Sequence, residues 1–528
     1  MYQAKENGNS NGSAAGVCAG IQRPENTHPH GEAGHVTPDG RRLPGLVIVS
    51  GKADEIQAEI AAIDADPQID VRCHQYHPVL KFNRILAEVP GWDGGELRDE
   101  VILFLDVVPD KRAGAGKNGS RAASRKTAVA HFRQAMKDKK IVSRYFIEDN
   151  SIIGDPHSIV ADPHSIVADP HSIVADPHSI VADPHSIVAD PSGQPRTKFE
   201  WETDPEDQFA DQWAFASAYG IGPLPKRGGR GVRVVVFDTY PTLDGKGNTP
   251  WSDEEVDVCV SPLTGIFFTP DVLNSDRESK FGVSNHGLFI TSLIRAVAPD
   301  AEVEVVQILD KFGTGDAATL IYSLFEVVRR EIVEREGDSL QGMVFNLSLG
   351  LLDRSYRDER AEALRKVIQL IHGLGGVVVV AAGNDSCGAS VARPAQIPAD
   401  MRETISVGAS DYTGRRIPFS NRGDVLAPGG GSGPIGAALL AHIGKKGGDV
   451  RAFPEAVLGQ IRRGDGELSY GLAAGTSFSA ALVSGMAALL LGQDAALTPD
   501  EVKEKIVGSV DGRQIPQLKN ILPEWVMA

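Results

Sequence analysis

The pattern of apolar and polar positions divides the chain into stretches of different texture. Residues 1–43 are rich in Gly, Asn, Ser, Pro and His, show no periodicity, and predict a disordered N-terminal segment. The text then changes. "LPGLVIVSG" predicts a strand, "KADEIQAEIAAIDADP" an amphipathic helix, and "RILAEVP" and "EVILFLDVVP" further strands. "AVAHFRQAMKDKK" predicts another helix and "IVSRYFIED" an extended segment, so residues 44–150 read as a small α+β domain. From residue 204 to 528, short apolar runs alternate with helical stretches. "GVRVVVFDTY", "EVEVVQILD", "MVFNLSLG", "GVVVVAAGN" and "TISVGAS" are apolar at successive positions, as strands covered on both faces are. "GDAATLIYSLFEVVRREIVERE" and "RDERAEALRKVIQLIHGLG" supply helices between them. The expected class is α/β, a mainly parallel sheet between helical layers. "GTSFSAALVSGMAALLL" has no polar face and many small residues, which predicts a helix buried all round.

Between the two domains, "DPHSIVA" occurs five times from Asp155 to Ala189, and Asp190-Pro191 opens a sixth copy. A seven-residue period suits a coiled coil, but a proline in every copy removes a helical donor and clashes with the previous turn. Residues 151–203 are therefore expected to be an extended linker. Its histidines, His157 to His185, recur every seven residues, and read as side chains of a solvated spacer in preference to metal ligands.

Composition narrows the function classes. The 528 residues carry 53 basic and 70 acidic side chains, a formal charge of -17, which disfavours a nucleic-acid groove. No apolar run is long enough to predict a membrane span, and the first twenty residues lack the pattern of a secretory signal. Cys18, Cys73, Cys259 and Cys387 are scattered, so no disulfide framework is expected and a cytoplasmic location is. "KRAGAGKNGS" misses a phosphate-loop pattern at Lys111 and Asn118, and "CHQYH" lacks a second ligand pair at zinc spacing.

The candidate chemistry lies at the ends of buried strands, where α/β folds gather their sites. "VVVFD" ends in Asp238, and "GVVVVAAGND" delivers Asn384. "NHGLFITSLIRAV" puts His286 at the start of an apolar helix, and Ser477 opens the all-apolar one, where free N–H groups favour developing negative charge. Singly, each residue suits a structural role as well. Together they supply a nucleophile, a proton shuttle, a carboxylate that orients it and an oxyanion donor, the parts of acyl transfer through a serine.

The order Asp–His–Ser, with "VVVFDT", "NHG" and "GTS", resembles the subtilisin-like serine peptidases, or subtilases. "DPEDQFADQW", "APDAEVEVVQILDKFGTG", "FNLSLG", "VVVVAAGN" and "ISVGASDYTGRRIPFSNRGDVLAPG" extend that likeness in the same order over most of residues 204–495. The resemblance implies a serine endopeptidase with Asp238, His286 and Ser477 as the catalytic triad and Asn384 as the oxyanion donor. It implies polypeptide substrates bound as an added strand between Ser348-Leu349-Gly350 and Phe312-Gly313-Thr314-Gly315. No cofactor is expected; calcium is common in the family, but no acidic loop here has an assignable ligand spacing, so no metal residues are named. The chain departs from the family pattern at Tyr240-Pro241, at Leu288 after His-Gly, and at Ala481 where proline is usual. Those departures motivate an alternative, a protease-like binding module with little activity. Residues 429–470 are expanded, with "AFPEAVLGQIRR" expected to be helical, and read as a tolerated insertion rather than a lid or exosite. The N-terminal domain loosely resembles the inhibitory propeptides of subtilases, which implies an intramolecular inhibitor and self-cleavage in the repeat.

Overall fold

The computed structural model describes residues 42–110, 125–138, 146–154, 158–159, 186–189, 224–241, 252–261, 285–309, 314–351, 361–386, 395–429, 457–462 and 467–520, apart from scattered positions within those spans. The segment expected to be disordered and most of the repeat lie outside the described residues.

The first elements are β1 (Arg42–Lys52), α1 (Ala53–Ala65), β2 (Val71–Gln75), β3 (Leu80–Lys81), α2 (Phe82–Leu86), β4 (Glu100–Pro109), α3 (Arg125–Asp138) and β5 (Phe146–Gly154). β1 pairs antiparallel with both β4 and β5, and β4 with β2. Alternation explains why "LVIVSG" and "VILFLDVV" are apolar at nearly every position. Val47, Val49, Val101, Leu103 and Leu105 face one way, onto Ile56, Ile63, Phe132 and Met136 of α1 and α3. Ile48, Ile102 and Phe104 face the other way, into a second core. "RILAEVP" is not a strand. Phe82, Ile85 and Leu86 fall at helical spacing and bury one face of α2 in that second core.

The larger sheet begins with β8 (Arg233–Asp238), after the short strands β6 (Ser158–Ile159) and β7 (Ser186–Ala189). The chain continues through β9 (Ser252–Asp253), β10 (Val258–Val260), α4 (His286–Val297), β11 (Glu302–Gln307), β12 (Thr314–Asp316), α5 (Ala317–Arg329), β13 (Met343–Leu347), β14 (Gly350–Leu351), α6 (Glu362–Gly373), β15 (Val377–Ala381), β16 (Thr404–Ser410) and β17 (Val425–Pro428), of which β12 and β14 pair with β5 instead of joining this sheet. β18 (Val457–Arg462), β19 (Leu468–Ala473), α7 (Thr476–Gln493) and α8 (Pro499–Gly508) complete the described order. The strand order is β17-β16-β15-β13-β8-β11-β10-β9, parallel throughout except at the β9 edge. α4 and α7 cover one face, with Val234, Val236 and Val379 beneath them. α5 and α6 cover the other, with Val235, Phe237, Phe345 and Val380. This is the parallel sheet between helical layers that the apolar runs predict.

α7 has the length and apolar composition of a membrane span, but all its residues from Thr476 to Leu491 are buried inside this domain. Its small residues set how closely neighbours approach. A methyl group on Gly485 would stand 2.6 Å from Cβ of Val297 in α4, so glycine there permits the helix contact. The described part of the expected helix in "AFPEAVLGQIRR", Val457–Arg462, is instead β18, paired along its length with β19. Cys259 is disulfide-bonded, contrary to the expectation of no such bond, and burial followed by Asp64 and Asp106 pushes the free Cys73 thiol up to about 12.

The helical layer over α5 also receives the N-terminal sheet. Phe82 meets Phe325 edge-on at 5.4 Å between ring centroids, and Phe104 meets Tyr322 at 6.5 Å. Lys366 of α6 bonds Glu100 at 2.6 Å, and Trp92 lies against Gly373, where a Cβ would be 2.6 Å from its ring. The two β-sheets thus share one apolar cluster on either side of α5 and α6.

Below it sits a buried ion pair. Arg330 donates to both oxygens of Glu304 at 2.6 and 2.7 Å, with the two side chains 3% and 1% exposed. Burial pushes the Glu304 carboxyl up, but Arg330 outweighs it and leaves the group below its ordinary value. Arg330→Met strands that carboxylate and is expected to cost about 3–5 kcal/mol in urea unfolding. Adding Glu304→Met is expected to restore most of the loss, because the unpaired charge goes with it.

Candidate active site

Asp238 is the last residue of β8 and is fully buried. One carboxylate oxygen accepts the Thr239 N–H at 2.6 Å. His286, the first residue of α4 and 1% exposed, sets Nδ1 at 2.8 and 3.0 Å from the two Asp238 oxygens. With an ionised carboxylate there, Nδ1 carries the proton and donates. Residue 287 has to be glycine for this contact to form. A Cβ at that position would lie 2.0 Å from the Thr239 carbonyl oxygen, and the Gly287 N–H donates to Thr239 Oγ1 at 3.1 Å.

Ser477 is the second residue of α7 and is 2% exposed. Its hydroxyl donates to the Ser348 carbonyl at 3.3 Å. The imidazole of His286 packs edge-on against Phe478, the next residue, with centroids 5.3 Å apart. Phe478 also packs on Phe289 of α4 at 4.7 Å. The two helices that begin with histidine and with Thr-Ser are therefore locked together at their first turns.

Asn384 follows β15 and is 2% exposed. Its Oδ1 accepts from the Thr476 N–H and the Thr476 hydroxyl, both at 2.9 Å. A backbone N–H can only donate, which fixes the amide's orientation and makes Nδ2 the donor end for a further acceptor. Ser348 is held from two sides, donating to Asn346 Oδ1 at 3.0 Å and to the Ser477 carbonyl at 3.1 Å. Asn346 in turn donates to Ser484 at 2.9 Å. The apolar pattern of "FNLSLG" conceals this chain; the polar pair at Asn346 and Ser348, two residues apart on one face of a buried strand, was its signal.

The expected substrate walls come together in part. Phe312 and Gly313 lie outside the described residues. Thr314 and Gly350 both pair with Gly154 at the end of β5; Gly315 and Leu351 both pair with Ile153, and Asp316 with Ile152. The end of β5 is thus an antiparallel strand between the two walls, with Ser348 and Leu349 just before the second.

A third group of residues escaped the sequence reading. Asn285 and Arg462 exchange a pair of bonds: Asn285 Nδ2 donates to the Arg462 carbonyl at 2.8 Å, and the Arg462 N–H to Asn285 Oδ1 at 2.6 Å. The Gln460 N–H reaches Ser292 at 3.0 Å, and Gly459 packs on the Phe289 ring, where a Cβ would be 2.5 Å away. The Arg462 guanidinium donates to Asp253 at 2.6 and 2.7 Å and to Glu255 at 2.8 Å. Tyr240 donates its hydroxyl to the same Asp253 at 2.5 Å, and burial together with Asp253 pushes its ionisation far above the ordinary phenol value. The β18–β19 hairpin, read from sequence as a tolerated insertion, is clamped to the start of the histidine helix. Tyr240, Leu288 and Ala481, which depart from the family pattern, are all buried in the core around the site. Among the described residues, no group of three or more His, Cys, Asp or Glu converges to hold a metal ion.

Part of the chain is similar to known serine peptidases. A model of the subtilase family matches residues 274–522. Serine protease AprX of Bacillus subtilis (strain 168) is 28% identical over 307 residues, 54% of this chain and 62% of its own length. Subtilisin E from the same organism is 26% identical over 325 residues, 57% of this chain and 68% of its own. The crystal structure of a cold adapted subtilisin-like serine proteinase overlaps 56% of this chain and 87% of its own, at 19% identity and a TM-score of 0.36. The chain spans less than two thirds of AprX. The span that matches the subtilase family, residues 274–522, carries His286, Asn384 and Ser477, and over it the chain is similar to serine peptidases of that family.

Proposed function

We propose that this protein is a serine endopeptidase that hydrolyses peptide bonds through an acyl-enzyme on Ser477. The observation that carries the reading is the buried Asp238–His286 pair, whose imidazole packs on the residue after a serine at the mouth of α7. Ser477 Oγ attacks the scissile carbonyl while His286 takes its proton at Nε2; the same nitrogen then protonates the departing amine. Asp238 holds the imidazole in the tautomer with Nδ1 protonated and supports its positive charge when both nitrogens carry protons. The tetrahedral oxyanion is stabilised by the Asn384 amide, held ready by Thr476, and by the N–H groups at the start of α7. Substrate enters as a strand between Thr314-Gly315 and Gly350, so main-chain pairing supplies affinity with little demand on sequence. The binding-module alternative loses its motive, since Tyr240, Leu288 and Ala481 fill core space and remove no reacting group.

The N-terminal domain acts in this reading as an intramolecular inhibitor. The end of β5 takes the place a substrate strand would take, and the domain is anchored on α5 and α6 by Phe82, Phe104, Trp92 and the Glu100–Lys366 pair. Cleavage within residues 155–203 would free the cleft.

Four outcomes are expected. After removal of the N-terminal region, a fluorophosphonate probe labels Ser477, and Ser477→Ala abolishes both labelling and hydrolysis of a fluorogenic peptide. His286→Ala lowers kcat by at least roughly 10²–10⁴ with a much smaller change in KM; a kcat left at the wild-type level by either change would overturn the assignment of roles. Intact mass of the full chain reveals a new terminus within residues 155–203 in the wild type and none in Ser477→Ala. Arg462→Met leaves Asp253 and Glu255 without their guanidinium and costs about 3–5 kcal/mol in thermal unfolding, with Asp253→Asn restoring part of it.

A further inference from the structure

Arg462 has two arms, and each reaches toward one member of the Asp238–His286 pair. Its backbone N–H and C=O are both taken by the Asn285 side chain, at 2.6 and 2.8 Å, and Asn285 is the residue before His286. Its guanidinium grips Asp253 through Nη2 at 2.6 and 2.7 Å and Glu255 through Nη1 at 2.8 Å. Asp253 accepts the hydroxyl of Tyr240, two residues after Asp238. Traced in order, Asp238, Tyr240, Asp253, Arg462, Asn285 and His286 form a closed ring, and the bond that closes it runs 2.8 Å from Nδ1 of His286 to the Asp238 carboxylate. All six residues are buried, so water does not compete for the links.

Asn285 stands at the N-terminus of α4, where an asparagine ordinarily caps its own helix, yet its side chain makes no capping bond there. Both ends of the amide go to Arg462 instead. The strand that carries Arg462 also lies along α4: Gly459 packs on the Phe289 ring, and the Gln460 N–H reaches Ser292 Oγ at 3.0 Å. Positions 285, 289 and 292 fall on one face of the helix, so β18 opposes both rotation of α4 about its axis and sliding along it. Its partner β19 ends at Ala473, four residues before Ser477. One hairpin therefore touches the surroundings of all three groups.

We propose that Arg462 is a positioning residue for the Asp238–His286 pair: its backbone holds residue 285, its guanidinium holds residue 240 through Asp253, and together they set the imidazole against the carboxylate. Arg462 acts through these neighbours and touches no reacting atom. The kinetic consequence rests on the reading of His286 and Ser477 as reacting groups; the bracing does not. Methionine at 462 keeps the backbone arm and loses the other. Lysine keeps a charge without the planar fork, so it holds Asp253 or Glu255 and not both.

The test uses the full chain carrying Ser477→Ala, so that no bond is cut, with isotope-labelled histidine. The proton that His286 Nδ1 donates to Asp238 gives a far-downfield magnetic-resonance line whose position follows the donor–acceptor distance in the folded state. The line is identified by its loss in His286→Gln. Arg462→Met is expected to move it upfield or broaden it into the baseline, and Asn285→Ala and Tyr240→Phe to move it the same way by less. Arg462→Lys is expected to fall between Arg462→Met and the unsubstituted chain. Arg330→Met is the control, since it strands the buried Glu304 carboxylate beside the layer of α5 at a similar cost in stability, and it is expected to leave the line in place. With Ser477 restored, Arg462→Met is expected to lower kcat for a fluorogenic peptide by roughly ten- to a hundredfold while KM changes by less than about twofold. A line unmoved in folded Arg462→Met, or moved as far by Arg330→Met, overturns the inference. If Arg462→Met does not fold, a line unmoved in both Asn285→Ala and Tyr240→Phe overturns it. A line that moves as expected in a protein whose Ser477 form hydrolyses no peptide removes the peptidase reading instead and leaves the brace standing.

Discussion

A backbone approach with no room for a methyl group holds the site together. Gly287 lies against the Thr239 carbonyl, and that approach sets the first turn of α4 on the end of β8. Only then can a buried carboxylate and a buried imidazole meet at 2.8 Å. Neither Asp238 nor His286 would tolerate such burial alone, because each ion or ring nitrogen needs a partner once water is gone. The packing of α4 on α7 through Phe289 and Phe478 carries the same constraint to Ser477. One tight contact thus transmits position across residues nearly 240 apart in sequence.

Around that centre, two parts of the chain grip the cleft from different directions. The β18–β19 hairpin holds the residue before His286 through Asn285 and fixes the far side of Asp238 through Arg462, Asp253 and Tyr240. The N-terminal sheet approaches over α5 and α6 and lays β5 between the walls. The first grip is built from charge and hydrogen bonds and the second mainly from apolar surface. The two differ in kind: paired buried charges fix a geometry only where each keeps its partner, whereas an apolar face needs only a cover of matching shape.

Much of this was legible in the residues. Runs such as "VVVF" and "GVVVVAA" are apolar throughout because both sheet faces are covered, and the polar residues that follow them, Asp238 and Asn384, became site candidates only together with His286 and Ser477. Helix α7 declared its burial by lacking a polar face. Local pattern failed where the decision was made at a distance. "RILAEVP" forms a turn of helix because Phe82 and Ile85 have α5 to pack on, and "AVLGQIR" is a strand because β19 lies beside it and Phe289 needs a glycine opposite. Arg462 and Asp253 are 209 residues apart, so no periodicity could have joined them. Asn346 was hidden by the apolar strand that carries it, although its partner Ser348 was expected at the cleft.

The sharing of one apolar cluster between the N-terminal sheet and α5–α6 has a consequence for how the chain is made. Ile48, Phe82 and Phe104 are synthesised long before Tyr322, Phe325 and Ile371, their partners in that cluster. At about 5–20 residues per second, the ribosome needs roughly 10–45 s to travel from position 104 to position 325. Throughout that interval the first sheet has one greasy side without its cover. Nascent chains of this protein therefore pass through a long stage at which a chaperone has a defined surface to hold, and from which neighbouring chains must be kept apart.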